Sequence, residues 1–167
     1  LEYSLGMERM FNDIGYVMTD PAEMTIFGRR DIKTVTNTLS GAFIFSASSY
    51  LTLRARHYWS AADYDESYFE LLDDGSLTRL LTPDIVHNSD VNTNFLNVDL
   101  VYTWRFAPGS ELSLVWKNAI YSEGSVIVSD ALSNFTDMLS MPQTNSISLK
   151  ILYYLDYHNF RKLFSSR

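Results

Sequence analysis

Residues Thr93–Ile120 read TNFLNVDLVYTWRFAPGSELSLVWKNAI. Before the turn, Leu96, Val98, Leu100, Tyr102, Trp104 and Phe106 occupy every second position. Thr93, Asn97, Asp99, Thr103 and Arg105 fall between them, with Phe95 and Val101 as apolar exceptions. Alternation at period two marks a β-strand with one apolar face. After Ala107-Pro108-Gly109-Ser110 the pattern resumes, with Leu112, Leu114, Trp116 and Ile120 on one side and Glu111, Ser113 and Lys117 on the other. A protein core and a lipid bilayer would both accept this apolar stripe, so the fold class turns on which of them it meets.

The same alternation recurs outward from this hairpin. Leu1, Tyr3, Leu5 and Met7 alternate with Glu2, Ser4, Gly6 and Glu8. Val35, Leu39, Phe43 and Phe45 oppose Thr34, Thr36, Thr38 and Ser40, and a tight Ser46–Ser49 connection leads on to Leu51, Leu53, Ala55 and Trp59. That strand is expected to continue through Tyr64 and Tyr68 to Leu72, where Asp73-Asp74-Gly75-Ser76 suits a hairpin turn needing positive φ. At the far end Ile147, Leu149, Ile151, Tyr153, Leu155 and Tyr157 form the most regular stripe. The reading gives about six principal strands of roughly 11–16 residues, against about 5–6 for an average soluble strand. Long connections are expected at 11–30, 60–92 and 122–144, alternating with tight turns. Within the last, SDALSNFTDMLS reads as a short helix capped by Ser129 or Asp130.

Bulk properties narrow the class. The chain has 167 residues, a formal charge of −7 and no cysteine. A net acidic balance argues against nucleic acid as a partner, and the lack of thiols removes thiolate catalysis, disulfides and zinc-thiolate sites. No apolar run approaches the ~18–20 residues of a membrane helix. A membrane β-barrel needs none, because it carries its signal in alternation. No internal linker appears, so residues 1–167 read as part of one domain. The alternating start at Leu1 reads as the inside of a strand, which makes the sequence a fragment whose neighbouring strands lie upstream.

Long strands, alternating loop lengths and clustered aromatics favour lipid. Phe43, Phe45, Tyr102, Trp104, Phe106, Tyr153 and Tyr157 gather at the tight-turn end, as an interfacial aromatic girdle does. Tyr50 and Phe160 fall at the same end. Asn37, His57 and Asn118 lie about eight or nine residues up and point the same way, which at ~3.3 Å per residue and ~40° tilt is on the order of 20 Å. The expected fold is therefore an all-β, antiparallel, transmembrane outer-membrane β-barrel segment with short periplasmic turns and long outer loops. About six strands leave the barrel incomplete, since small single-chain barrels have about eight. Its expected partners are outer-membrane lipid, the rest of the same barrel, and other outer-membrane or periplasmic proteins. The runner-up is a soluble ligand-binding β-barrel or sandwich with the same residues packed inward.

On the barrel reading Arg54, Arg56, Asp99, Arg105, Lys117, Lys150 and Asp156 line the lumen, either as a charged pore or a binding site for a plug or sandwich domain or, the favoured reading, as cross-strand ion pairs filling the interior. The catalytic candidate is His57 with Asn118 as orienting partner, in a lipase-type arrangement. No serine stands at a matching outward position, and Ser60 has no evident geometry. His87 and His158 read as solvent-facing. The acidic stretch Asp63, Asp65, Glu66, Asp73 and Asp74 does not fit a calcium loop and reads as a solvated hairpin. No nucleotide-binding, zinc-protease or nucleophile-elbow motif occurs. No cofactor and no catalysis are expected.

FGRRDIKTVTNTLSGAFIF, LTLRARHYWS, NVDLVYTWRFAPGSELSLVWKNAI and SISLKILYYLDY resemble a family of large Gram-negative outer-membrane proteins. Those carry an N-terminal carbohydrate-binding sandwich of the family-nine type and end in a barrel domain of unknown function. The resemblance covers Asn12 to Tyr157, with RFAPGSELSLVWKN as its most specific part. It implies that the chain is the C-terminal end of such a barrel in the cell outer membrane; the role expected of it is transport, as a pore, or scaffolding of a surface or periplasmic module, with carbohydrate entering only through the N-terminal module. It brings no catalytic motif. One departure is the ending RKLFSSR after Phe160, where such barrels commonly finish on an aromatic residue.

Overall fold

The computed structural model describes residues 1–21, 23–80, 88–128 and 130–155, apart from the side chain of Glu66. Among them, β1 (Glu2–Thr19), β2 (Thr25–Ser46), β3 (Ser49–Leu71), β4 (Leu77–Arg79), β5 (Val91–Ala107), β6 (Ser110–Gly124) and β7 (Gln143–Leu152) form one antiparallel sheet. Its order is β1-β2-β3-β5-β6-β7, with β4 folded back on the far end of β3. Apart from β4, each strand pairs with the next in sequence. This up-and-down meander needs only hairpin connections, the simplest arrangement for alternating strands. One helix, α1 (Ala131–Leu139), lies between β6 and β7.

The expected all-β antiparallel architecture is present, and so are both tight turns at one end. Ala47 and Ser48 connect Ser46 to Ser49, and Ser46 Oγ accepts from the Ser48 amide at 3.2 Å. Pro108 and Gly109 connect Ala107 to Ser110. Gly109 has φ +71°, and Tyr154 packs against its Cα, so a side chain there would meet both backbone strain and a ring. The expected Asp73–Ser76 hairpin forms with Gly75 at φ +83°, and Asp74 accepts from the Ser76 amide at 2.9 Å.

Two expectations are corrected. Residues 11–30 are not a long loop. They are the ends of β1 and β2, joined by a tight connection in which the Asp20 amide donates to the Met24 carbonyl at 3.0 Å. The alternation vanished from the sequence because register shifts occur at Met10/Asp13, Tyr16/Met18 and Gly28/Arg30. A bulge flips every residue beyond it to the other face, so a regular strand reads as noise. Asn12, at φ +55°, stands within the first of them. Long and short connections therefore do not alternate strictly. β1, β2 and β5 are also longer than expected, at 18, 22 and 17 residues, whereas β6, at 15, falls within the expected range and β3 runs to Leu71 nearly as read.

Long-range polar contacts hold the extended far ends of β1, β2 and β3. Arg30 Nε meets Asp13 at 2.8 Å and its guanidinium donates to the Tyr64 hydroxyl at 2.8 Å. Tyr64 in turn donates to the Tyr16 carbonyl at 3.1 Å. Arg29 binds Asp65 at 2.6 Å.

Candidate functional site

The register sorts the side chains onto two faces. Opposed pairs place Phe43, Leu51, Tyr102, Leu114 and Leu149 in one row across five strands. Rows above and below add Leu53, Leu100, Trp116 and Ile147, then Trp104, Leu112 and Ile151. Among the described residues little covers this band: Phe43 is 63 %, Leu149 59 % and Ile147 74 % exposed, while Leu53, Leu100 and Trp116 between them are half-buried. The aromatic residues at its lower rim touch one another. Phe43 and Phe45 have ring centroids 4.9 Å apart, Phe45 reaches Tyr102 at 6.1 Å, and Phe106 stacks on Tyr153 at 6.1 Å. Trp104 adjoins Phe106 at 5.7 Å. Tyr50 departs from this group, because it pairs with Ile44 and Thr103 on the opposite face, beneath the Arg105 guanidinium. Tyr157, Asp156 and Phe160 lie outside the described residues.

The band ends upward in a polar row. Tyr3 donates to Asn37 at 2.7 Å, Asn37 donates to His57 Nδ1 at 3.2 Å, and Asn118 donates to Gln143 at 3.0 Å and to Asn145 at 3.1 Å. Trp116 Nε1 also donates to Asn145, at 3.2 Å. They occupy two adjacent rows of one face: Asn37 and His57 stand in line with Leu96, Ile120 and Gln143, and Asn118 and Asn145, two residues lower, stand in line with Val98.

From the His57 row upward the chain covers its own sheet. The helix α1 lays Met138 on Leu96 and Ile120, which are 1 %, 8 % and 1 % exposed respectively, with Phe135 packed beside them. A buried amide cluster fixes the helix. Asn134 Oδ1 accepts from Asn92 at 3.0 Å and from Asn94 at 3.1 Å, and its amide donates to Asn94 Oδ1 at 2.6 Å. Trp59 Nε1 extends the cluster by donating to Asn92 at 2.7 Å. Asp130 is the N-cap, accepting from the Ser133 amide at 2.8 Å. Hydrogen bonds from the Ser133 hydroxyl and amide hold the Asp130 carboxyl below its ordinary range. Ser129, the other expected cap, is outside the described residues. Nothing in the strand alternation signalled the amide cluster; Asn92 and Asn94 read as ordinary polar positions near a strand end.

His57 does not meet the partner expected for it. Asn37, not Asn118, is its hydrogen-bond neighbour, and the ring lies under Phe135 at a centroid distance of 5.1 Å. Its Nε2 is buried without a hydrogen-bond partner among the described residues. Ser60 pairs with Thr34 and Thr93 and projects from the other face of β3. No serine–histidine couple forms there. His87 and His158 are outside the described residues.

The second face is polar. Arg54 stands opposite Ser40 and Asp99, Arg56 opposite Thr38 and Asn97, Lys117 opposite Asp99 and Ser146, and Lys150 opposite Ser113. The expected cross-strand ion pairs form in part: Lys117 meets Asp99 at 3.4 Å and Arg105 meets Glu111 at 3.5 Å. Arg54, Arg56 and Lys150 make no ion pair among the described residues. One row higher, Tyr58, Phe95 and Tyr121 stand side by side.

The family model of a domain of unknown function, DUF5916, matches residues 1–164. No curated protein and no solved structure matches the chain.

Proposed function

The chain belongs to the DUF5916 family, and we propose that its sheet is one arc of a Gram-negative outer-membrane β-barrel. Its role is transport through a pore, or anchorage of a module borne elsewhere in the protein, including a carbohydrate-binding one, with no catalysis in this segment. The supporting observation is the bare apolar band. It runs from the aromatic rim at Phe106 to the row of Val98 and Asn118, about eight residues along β5. At ~3.3 Å per residue and ~40° tilt that is about 20 Å, close to the ~25 Å apolar height of such barrels. The helix α1 covers the sheet from the His57 row upward, and among the described residues the larger apolar area below that row stays open. That distribution suits a surface that lipid covers below and protein covers above. An exposed apolar expanse of this size is otherwise rare on a soluble protein.

Among the described residues the outer edges of β1 and β7 have no neighbour in the sheet order. Lipid does not tolerate unpaired strand edges, so a barrel built on this sheet needs strands beyond those described.

One observation favours a second reading. The docking of α1 on the apolar face is what a soluble barrel or sandwich does with its interior. Fractionation separates the two. The full-length protein should stay with outer membranes through alkaline carbonate washing and need detergent for release. Recovery in solution without detergent would refute the membrane reading and favour the soluble one.

A further inference from the structure

Two arginines on the polar face are left without partners at the same spot. Arg54 and Arg56 are two residues apart on β3, so their side chains leave the same face about 7 Å apart. Neither forms an ion pair or hydrogen bond among the described residues. Asp99 stands directly opposite Arg54, yet its carboxylate is engaged by Lys117 on the far side. With Asn97 and Asp99 the arginines line a hollow of about 150 Å³. A larger one of about 590 Å³ adjoins it, reaching Ser40, Thr52 and Lys117.

We propose that this hollow binds an oxyanion, the phosphate or carboxylate of a small solute. A guanidinium presents several donors in a planar fork that matches phosphate and carboxylate oxygens. Two forks at this spacing flank one oxyanion from both sides, and Asn97 supplies an amide beside it. Arg54, Arg56 and Lys117 outweigh the single carboxylate of Asp99, and Lys117 neutralises that carboxylate before it repels the ligand. Within the described sheet Lys117 and Arg105 are paired across neighbouring strands, and these arginines are not. Within a pore the same pair forms an anion-selecting constriction; that extension rests on the barrel reading, whereas binding does not.

The test is titration calorimetry on the full-length protein in detergent at constant ionic strength. The probes are inorganic phosphate, glucuronate and neutral glucose. Binding of phosphate or glucuronate, but not glucose, is expected, and the stronger of the two identifies the anion class. Arg54→Gln with Arg56→Gln should weaken it at least tenfold. Lys150→Gln, which removes an unpaired cation outside the hollow, should leave it unchanged. Equal anion binding in the double variant, equal loss in Lys150→Gln, or no preference over glucose overturns the proposal. Planar-bilayer recordings read the barrel separately. A protein that never inserts refutes the barrel and leaves the titration to decide the site. A channel whose anion preference survives the double substitution refutes the constriction.

Discussion

Leu149→Arg asks the bilayer question at one residue. Leu149 lies in the row Phe43–Leu51–Tyr102–Leu114–Leu149, four residues above Phe106 along β5, hence about 10 Å up a band about 20 Å tall. It is 59 % exposed within the chain, so an arginine there meets little protein and loses little packing. In water the change should cost no more than about 0.5 kcal/mol, as at most surface positions. At a bilayer midplane it should cost about 2–4 kcal/mol, a shift of roughly thirty- to seven-hundredfold in the unfolding equilibrium. Ser148→Arg is the internal control, one residue away on β7 at the same level but on the polar face. Urea unfolding of the full-length protein in phospholipid vesicles, followed by tryptophan fluorescence, measures both. A large cost for Leu149→Arg beside a small one for Ser148→Arg is expected. Small and equal costs would refute the assignment of this face to lipid.

Three further outcomes follow from the connections. Asn134→Ala leaves the buried Asn92 and Asn94 amides without their partner, at about 1–3 kcal/mol per stranded group. A nine-residue helix is not stable alone, so hydrogen exchange across Asn134–Leu139 should accelerate at least tenfold while β5 and β6 stay protected; unchanged exchange would show that the cluster does not hold the helix. The Asp130 cap should titrate. Its carboxyl is depressed in the folded state, so its contribution is complete above the unfolded value near 3.9 and is lost as pH falls through the lower folded value. Exchange in the first turn of α1 should rise in that acid window for the natural protein and not for Asp130→Asn, which caps without titrating; equal profiles would refute the role. Gly109→Ala should cost about 1–2 kcal/mol from the left-handed conformation, with the Tyr154 contact adding to it, and Gly109→Asn less; urea midpoints equal to the natural protein's would contradict the turn geometry.

Much of the fold was legible because period-two alternation depends only on neighbours along the chain. The stripes at Leu96–Phe106 and Leu112–Ile120 became β5 and β6 with their faces as read, the stripe read from Ile147 to Tyr157 is strand only as far as Leu152 among the described residues, and Asp130 announced α1. Where bulges intervene, at Met10–Asp13 and Gly28–Arg30, the same rule failed, since one inserted residue inverts the pattern while hydrogen bonding continues. The candidate site was legible as residue types on a face. Which cations pair is a matter of register and reach: Lys117 takes Asp99, and Arg54, directly opposite that carboxylate, is left over. His57 was visible as a polar residue on an apolar stripe, but its burial beneath Phe135 and its contact with Asn37 come from segments roughly 80 and 20 residues away in the chain.

The sequence by itself thus determined strands, faces and turns, because backbone geometry couples side-chain direction to position. Only the tertiary structure decided how much of the apolar face the chain covers for itself. That depends on where α1 lands, and its landing is set by three asparagines and Met138, whose roles exist only when β5, β6 and the helix meet.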